Sequence, residues 1–294
     1  MRVGALGLGS WGTVLAARLA ARGHSVHGWT LEAEDRAAMA RDRENKKYIP
    51  GLALPDTFLL CETPEEALQD AEAVLLAVPS FAVRETARRV ADLIEGVPVI
   101  NAAKGLEPDT RLRMLQVLAE ELGAEAHITS LVGPSHAEEV ARDFPTAVVA
   151  TSQSEAAAKG VQDLFTSETF RVYTNLDTLG VELAVALKNV IALAAGIAAG
   201  LGYGDNTTAA LLTRGLAEMT RLGVHLGARA ETFFGLAGVG DLVATCCSRH
   251  SRNRRVGEAV GRGEPLEVVL AGMTMVAEGV TTTRAARDLA REAG

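Results

Sequence analysis

Two lysines stand in settings that could tune them for proton transfer. Lys188 lies in Glu182-Leu183-Ala184-Val185-Ala186-Leu187-Lys188-Asn189-Val190, a mostly apolar helical stretch. Burying its ammonium is costly, so desolvation would lower its pKa towards the working pH and suit it to general acid/base work. The alternative is a lysine that snorkels from a helix end. Lys104, in Asn101-Ala102-Ala103-Lys104-Gly105, follows a β-like run, where open α/β sheets bind ligands. Its alternative is a solvent-facing loop lysine. In Gly133-Pro134-Ser135-His136-Ala137-Glu138 a second strand-to-helix turn offers free N–H groups and the Ser135 hydroxyl to an oxyanion, or Ser135 simply caps the helix. Asp241, after Gly238-Val239-Gly240, can accept from a substrate hydroxyl, orient Lys188 by charge, or serve as an N-cap. Ser251-Arg252-Asn253-Arg254-Arg255 is a small basic island, ordinarily a solvated face. Arg252 nonetheless offers a planar fork for a phosphate, flanked by hydroxyl and amide donors.

A second kind of chemistry is written at the start of the chain. Gly7-Leu8-Gly9-Ser10-Trp11-Gly12 follows an apolar run and opens a helical one. In that context Gly7 permits a tight turn, Gly9 admits a pyrophosphate against the backbone, and Gly12 lets helix pack on strand; the helix N-terminus attracts the anion. Outside that context the same letters are an ordinary glycine-rich turn. The 2' position of a dinucleotide would be read near Trp29-Thr30-Leu31-Glu32. Glu32 either accepts from a ribose hydroxyl, which favours NAD, or starts the next helix with a carboxylate at its dipole. No arginine stands at that strand end to hold a 2'-phosphate.

These residues need elements to hold them. Short β-branched runs at 2–6, 25–29, 57–61, 73–78, 98–102, 128–132 and 146–150 alternate with helical stretches at 11–21, 32–41, 81–93 and 109–122. That rhythm predicts an α/β domain, a Rossmann-type doubly wound sheet. After a last β-like run at 170–174, helical patterns take over at 178–201 and 207–226, with weaker stretches to an amphipathic end at 283–292. The expected organisation is a dinucleotide-binding domain over 1–175 and a mostly α-helical substrate-binding and catalytic domain over 176–294.

Composition agrees with that reading. The 294 residues, 48% of them apolar, suit two domains. A formal charge of −8 argues against a nucleic-acid partner, because neutralising phosphates takes clustered cations. The N-terminus lacks signal-peptide character and implies a cytoplasmic protein. The greasy stretch at 190–201 falls short of the ~20 residues a membrane span needs and reads as a core helix. Cys61, Cys246 and Cys247 are too few and badly spaced for a disulfide framework or a zinc site, and are expected to be buried or inert; no metal is implied.

The ordered set Ala77-Val78-Pro79-Ser80, the Asn101–Gly105 and Gly133–Glu138 runs, Glu182–Val190, Gly238-Val239-Gly240-Asp241-Leu242 and Ser251–Arg254 resembles the soluble, bacterial-type NAD(P)-dependent glycerol-3-phosphate dehydrogenases, over nearly the whole chain. The resemblance implies interconversion of sn-glycerol 3-phosphate and dihydroxyacetone phosphate. It assigns Lys188 the proton transfer, and Lys104, Gly133, Ser135, Lys188, Asp241, Ser251, Arg252 and Asn253 to the substrate. Cofactor contacts carried over are Gly7, Gly9, Ser10, Trp11, Gly12, Lys104, Ala137 and Arg252, with Val276 and Glu278 from Met275-Val276-Ala277-Glu278-Gly279. It further implies a homodimer and a product that feeds glycerophospholipid assembly. Two features depart from the family pattern. Leu31 replaces a residue that is basic in many bacterial relatives, leaving NAD or NADP open, and the chain stops at Gly294 where relatives continue through another helical segment. A β-hydroxyacid dehydrogenase is the nearest rival, but there the asparagine follows the lysine at a distance on the same helix face, whereas Asn189 follows Lys188 directly. A non-catalytic NAD(P) sensor is the rival from another class, and the intact Lys188, Asp241 and Ser251–Asn253 set argues against it.

Overall fold

A computed structural model describes residues 1–124 and 127–293. The eight β-like runs become strands β1 (Arg2–Leu6), β2 (Ser25–Trp29), β3 (Phe58–Leu60), β4 (Ala73–Leu76), β5 (Val99–Asn101), β6 (Ile128–Val132), β7 (Thr146–Thr151) and β8 (Phe170–Asn175). They form one sheet in the order β3-β2-β1-β4-β5-β6-β7-β8. The pairings β1·β2, β1·β4, β2·β3, β4·β5, β5·β6 and β7·β8 are all parallel. Strand order reverses at β1, so the turn that follows it opens at the switch point where such sheets take ligands.

Helices α1 (Ser10–Ala21), α2 (Ala33–Asp42), α3 (Pro64–Leu68), α4 (Val83–Val90), α5 (Met114–Leu122), α6 (Ala137–Val140) and α7 (Glu155–Phe165) connect the strands. Two differ from the sequence expectation. The helix expected over 81–93 is α-helical only in α4, with tight 3₁₀ turns at Ser80–Ala82 and Ala91–Leu93. The helix expected from 109 begins at Met114, because Leu106 and Arg113 pair as an antiparallel bridge and Arg111 sits at φ 63°, a left-handed turn no helix propagates through.

From Thr178 onward the chain is helical: α8 (Thr178–Gly200), α9 (Asp205–His225), α10 (Ala230–Phe233), α11 (Asp241–Cys247), α12 (Arg252–Gly261), α13 (Leu266–Ala271) and α14 (Glu278–Ala293). Asp177 caps α8 through the Gly180 N–H, and its other oxygen accepts from Arg229 N and Thr232 Oγ1, fixing the start of α10. Contacts divide the chain into two compact units. One holds 1–103, 115–131 and 136–176; the other holds 177–294 with two short stretches from earlier in the chain, 104–114 and 132–135.

Each unit has its own core. In the sheet unit Val3, Ala5, Val26, Leu75 and Ile100 pack with Leu15, Leu19, Phe165 and Phe170. In the helical unit Leu183, Leu187, Met219, Phe233 and Leu242 form one core with Leu106, which is fully buried. Among the described residues Thr178–Gly200 and Ala230–Cys247 are long and apolar enough to cross a membrane by length and composition. The first is longer than the greasy stretch suggested, and it packs against α9, α11, α12 and α14.

The seam between α8 and α12 has almost no side-chain thickness. Gly196 and Gly200 on α8 face Gly257 and Gly261 on α12, each pair four residues apart and so on one helix face. A Cβ at any of them would collide with a backbone oxygen of the other helix: Arg254, Glu258, Leu193 and Ile197 respectively. Gly257→Val should therefore force the helices apart and destabilise the unit by about 1–3 kcal/mol. Gly160→Ala, in α7 with open space around it, should instead stabilise by roughly 0.5–1 kcal/mol. Thermal unfolding of the two variants beside the parent checks both signs.

Candidate active site

Lys188 is ten residues into α8 and only 5% exposed. Its Nζ donates to Asp241 Oδ1 at 3.0 Å and to Thr245 Oγ1 at 2.6 Å. Asp241 and Thr245 are one turn apart on α11, so a single helix face supplies both acceptors. The Thr245 hydroxyl lies 3.3 Å from Asp241 Oδ1, as donor to it. Asp241 opens α11 directly after a π-helical turn at Leu236–Gly240, and its carboxylate binds lysines rather than capping the helix.

The second oxygen of Asp241 accepts from Lys104 Nζ at 3.2 Å, and the same ammonium donates to the Gly133 carbonyl at 2.7 Å. The Ser135 hydroxyl also donates to that carbonyl, at 3.0 Å, so it is not the cap of α6, which begins after His136. Lys104 is held in place by its own loop. Leu106 plugs the helical core, Glu107 N bonds to Leu112 O, and Arg113 donates to Glu182 Oε2 of α8 at 2.9 Å. Lys104 is thus no solvent-facing loop lysine.

The basic island is partly buried, Ser251 and Asn253 fully so. Ser251 caps α12 by accepting from Arg254 N, and Asn253 is 7% exposed. Asn253 Nδ2 donates to Asn189 Oδ1 at 2.9 Å while its Oδ1 accepts from Gly279 N at 2.9 Å. One side chain so joins the residue after Lys188 to the first turn of α14, which begins at Glu278. Arg252 is half-buried at the first position of α12, and Val276 is exposed just before α14. The expectation of a solvated face holds for Arg255 alone among Ser251–Arg255.

Burial pushes the Lys188 ammonium down to about 8, with Lys104 adding repulsion and Asp241 resisting. Burial works against charge on Asp241 too, but Lys104 and Lys188 outweigh it and hold the carboxyl below its usual range. Cys246, behind this cluster, is pushed up to about 12 chiefly by burial, so it is an inert thiol. Cys61 is buried as well, whereas Cys247 is exposed.

In the sheet unit, Gly7 takes φ 92° and a Cβ on Gly12 would strike the Gly7 oxygen. Nothing lies within 4 Å of where a Gly9 Cβ would stand, and α1 starts at Ser10 with no side chain capping it. An open cradle of backbone N–H groups at a helix N-terminus fits a pyrophosphate. Trp11 packs its ring on Phe170, and Ala137 lies in the core. Glu32 precedes α2 without a capping bond, Leu31 is exposed, and the guanidinium of Arg36 reaches back to the Thr30 and Leu31 carbonyls.

A parallel sheet whose glycine turn leaves open space at a helix N-terminus in one unit, and a lysine–carboxylate–lysine cluster in the other, are features expected of a nicotinamide-dependent dehydrogenase. Family models of the N-terminus and C-terminus of NAD-dependent glycerol-3-phosphate dehydrogenase match residues 2–158 and 177–294. The chain is 51% identical to the glycerol-3-phosphate dehydrogenase [NAD(P)+] of Chlorobium limicola, covering 100% of this chain and 89% of that protein. It is 52% identical to that of Pelotomaculum thermopropionicum over 99% and 84%. The crystal structure of glycerol-3-phosphate dehydrogenase from Coxiella burnetii superposes with a TM-score of 0.95 at 39% identity, over 99% of this chain and 89% of that one. The chain belongs to the NAD-dependent glycerol-3-phosphate dehydrogenase family.

Thr245 and the Arg113–Glu182 pair escaped the sequence reading. Thr245 had a signal, its four-residue spacing from Asp241; the ion pair had none, since its partners are far apart in the chain. Asp241→Asn should destabilise by about 3–5 kcal/mol, since it removes the counter-charge of the buried Lys188 and the half-buried Lys104. Lys188 has a lower pKa folded than unfolded, so between about 8 and its ordinary 10.5 the unfolded chain binds the extra proton. Its contribution to stability should therefore rise with pH across that window, a slope that Lys188→Met removes in melting curves taken from pH 7.5 to 10.5.

Proposed function

We propose that this chain interconverts sn-glycerol 3-phosphate and dihydroxyacetone phosphate, with Lys188 exchanging the proton at the C2 oxygen. The observation that carries the reading is the buried Lys188 ammonium bonded to Asp241 and Thr245, which burial pushes down to about 8. An ammonium has three donors, and two are committed here, which leaves the third for a substrate oxygen. In ketone reduction the ammonium gives that proton as the alcohol forms; in alcohol oxidation the neutral amine takes it. Asp241 stays ionised throughout, orienting Lys188 while it holds Lys104, whose charge polarises the same oxygen.

The phosphate dianion is assigned to Ser251, Arg252 and Asn253, and the Gly133–Ser135 turn completes the substrate contacts. Binding energy from that remote group then orients the reacting carbon. Gly7, Gly9, Ser10, Trp11 and Gly12 would hold the NAD or NADP pyrophosphate, with Lys104, Ala137, Arg252, Val276 and Glu278 as further contacts. The nicotinamide supplies or accepts the hydride when bound, and no metal is needed because the ammonium stabilises the developing alkoxide. In this reading 1–175 is the cofactor domain and 176–294 the substrate domain. We also infer a cytoplasmic homodimer without a membrane span, whose reduced product supplies phospholipid synthesis.

Loss of 340 nm absorbance on mixing the protein with dihydroxyacetone phosphate and NADH or NADPH tests the activity, and the ratio of rates gives the cofactor preference. No oxidation with either, despite cofactor binding, would exclude it. Lys188→Ala should lower turnover at least 100-fold, within the range general acid/base catalysis supplies, and leave cofactor binding intact. The kcat/KM for reduction should fall as pH rises through about 8 and that for oxidation should rise through it, since both report the protein before substrate binds. Parallel profiles in both directions would remove Lys188 from the proton step.

A further inference from the structure

We propose that Asn45 is a positioning residue that aims the Gly9 N–H at the pyrophosphate of the dinucleotide. The proposal rests on the reading of Gly7–Gly12 as the cofactor turn. Asn45 lies in the loop after α2 and is 2% exposed. Its Nδ2 donates to the Leu8 carbonyl at 2.7 Å and to Thr13 Oγ1 at 2.8 Å. The Thr13 hydroxyl donates in turn to the same Leu8 carbonyl, at 3.1 Å. Asn45 is itself held, since its Oδ1 accepts from Tyr48 N at 3.3 Å and its backbone oxygen from Ile49 N at 2.9 Å.

The Leu8 oxygen is therefore gripped by two donors behind the turn. The peptide from Leu8 to Gly9 is trans, and in a trans peptide the carbonyl and the N–H point in opposite directions. Tying the oxygen inward turns the Gly9 N–H outward, to the side where Gly9 has open space and α1 presents its uncapped start. A peptide that ends in glycine rotates at little steric cost, so its direction needs a fixed partner. Asn45 and Thr13 are that partner, reached across 37 and 5 residues of sequence.

Asn45→Asp tests this with almost no change of shape, because it replaces the amide donor by an acceptor that repels the Leu8 oxygen. NADH titrated by its fluorescence should bind at least about tenfold more weakly, the scale of one lost hydrogen bond. ADP-ribose, which keeps the pyrophosphate and lacks the nicotinamide, should weaken by the same factor. The KM for NADH should rise while kcat and the KM for dihydroxyacetone phosphate at saturating NADH stay near the parent's. Unchanged NADH affinity in a folded Asn45→Asp protein would overturn the proposal, as would an equal rise in both KM values. If that variant does not fold, Thr13→Val beside Thr13→Ser decides: weaker NADH binding in the first alone supports the proposal, and equal binding in the two overturns it. A parent protein that binds neither NADH nor NADPH would instead overturn the cofactor reading beneath it.

Discussion

A charged lysine in the middle of an apolar helix sets the terms for the helical unit. Lys188 is nearly fully buried, so α8 can pack only if the ammonium finds partners that come with it into the core. Asp241 and Thr245 meet that need from one face of α11, and the π-helical turn before Asp241 sets where α11 begins. A lone carboxylate would only half-satisfy the cluster, because its second oxygen would also be buried. Lys104 fills that place, and to do so it must be carried there by a loop whose Leu106 belongs to the same core.

The rest of the helical unit serves the same helix. The glycine seam brings α12 against α8 closely enough for Asn253 to reach Asn189, the neighbour of Lys188. Arg113 and Glu182 fasten the Lys104 loop to α8 about a turn and a half ahead of Lys188. Each of these contacts joins residues distant in the chain, and each fixes the direction of a polar group that the fold could otherwise leave unpaired. The cost of an unpaired buried charge makes the arrangement hard to relax in part.

All eight strands were legible because a parallel sheet buried on both faces writes itself as short β-branched runs. Lys188, Lys104 and Asp241 were legible as types out of place, a charge in an apolar helix or at a strand end. The loop over residues 104–113 was not, since Leu112 and its successors carry a helical stripe that runs on into α5, while a long-range bridge and the Arg113–Glu182 pair hold its first part out of the helix. Helices α3 and α7 carried local signals, Thr63-Pro64 and Ser154 at their caps, that a reading keyed to apolar stripes passes over. The basic island looked solvated because composition reports charge and not direction; Ser251 and Asn253 turn inward only because the glycine seam leaves no room between the helices.

The shared carboxylate has a chemical consequence. With both lysines charged the cluster carries one net positive charge, and with Lys188 neutral it carries none. Burial therefore favours proton loss, which is why Lys188 lies near neutrality rather than far above it. A phosphate dianion entering the site pulls the other way, since negative charge nearby stabilises the ammonium. In the proposed reaction substrate binding would thus ready Lys188 to donate in ketone reduction, while in alcohol oxidation the same dianion would strengthen the amine as a base. Because Asp241 remains balanced by Lys104 when Lys188 gives up its proton, the carboxylate need not change state at any point in the cycle. The proton on Lys188 can then move in either direction while Asp241 keeps a cationic partner.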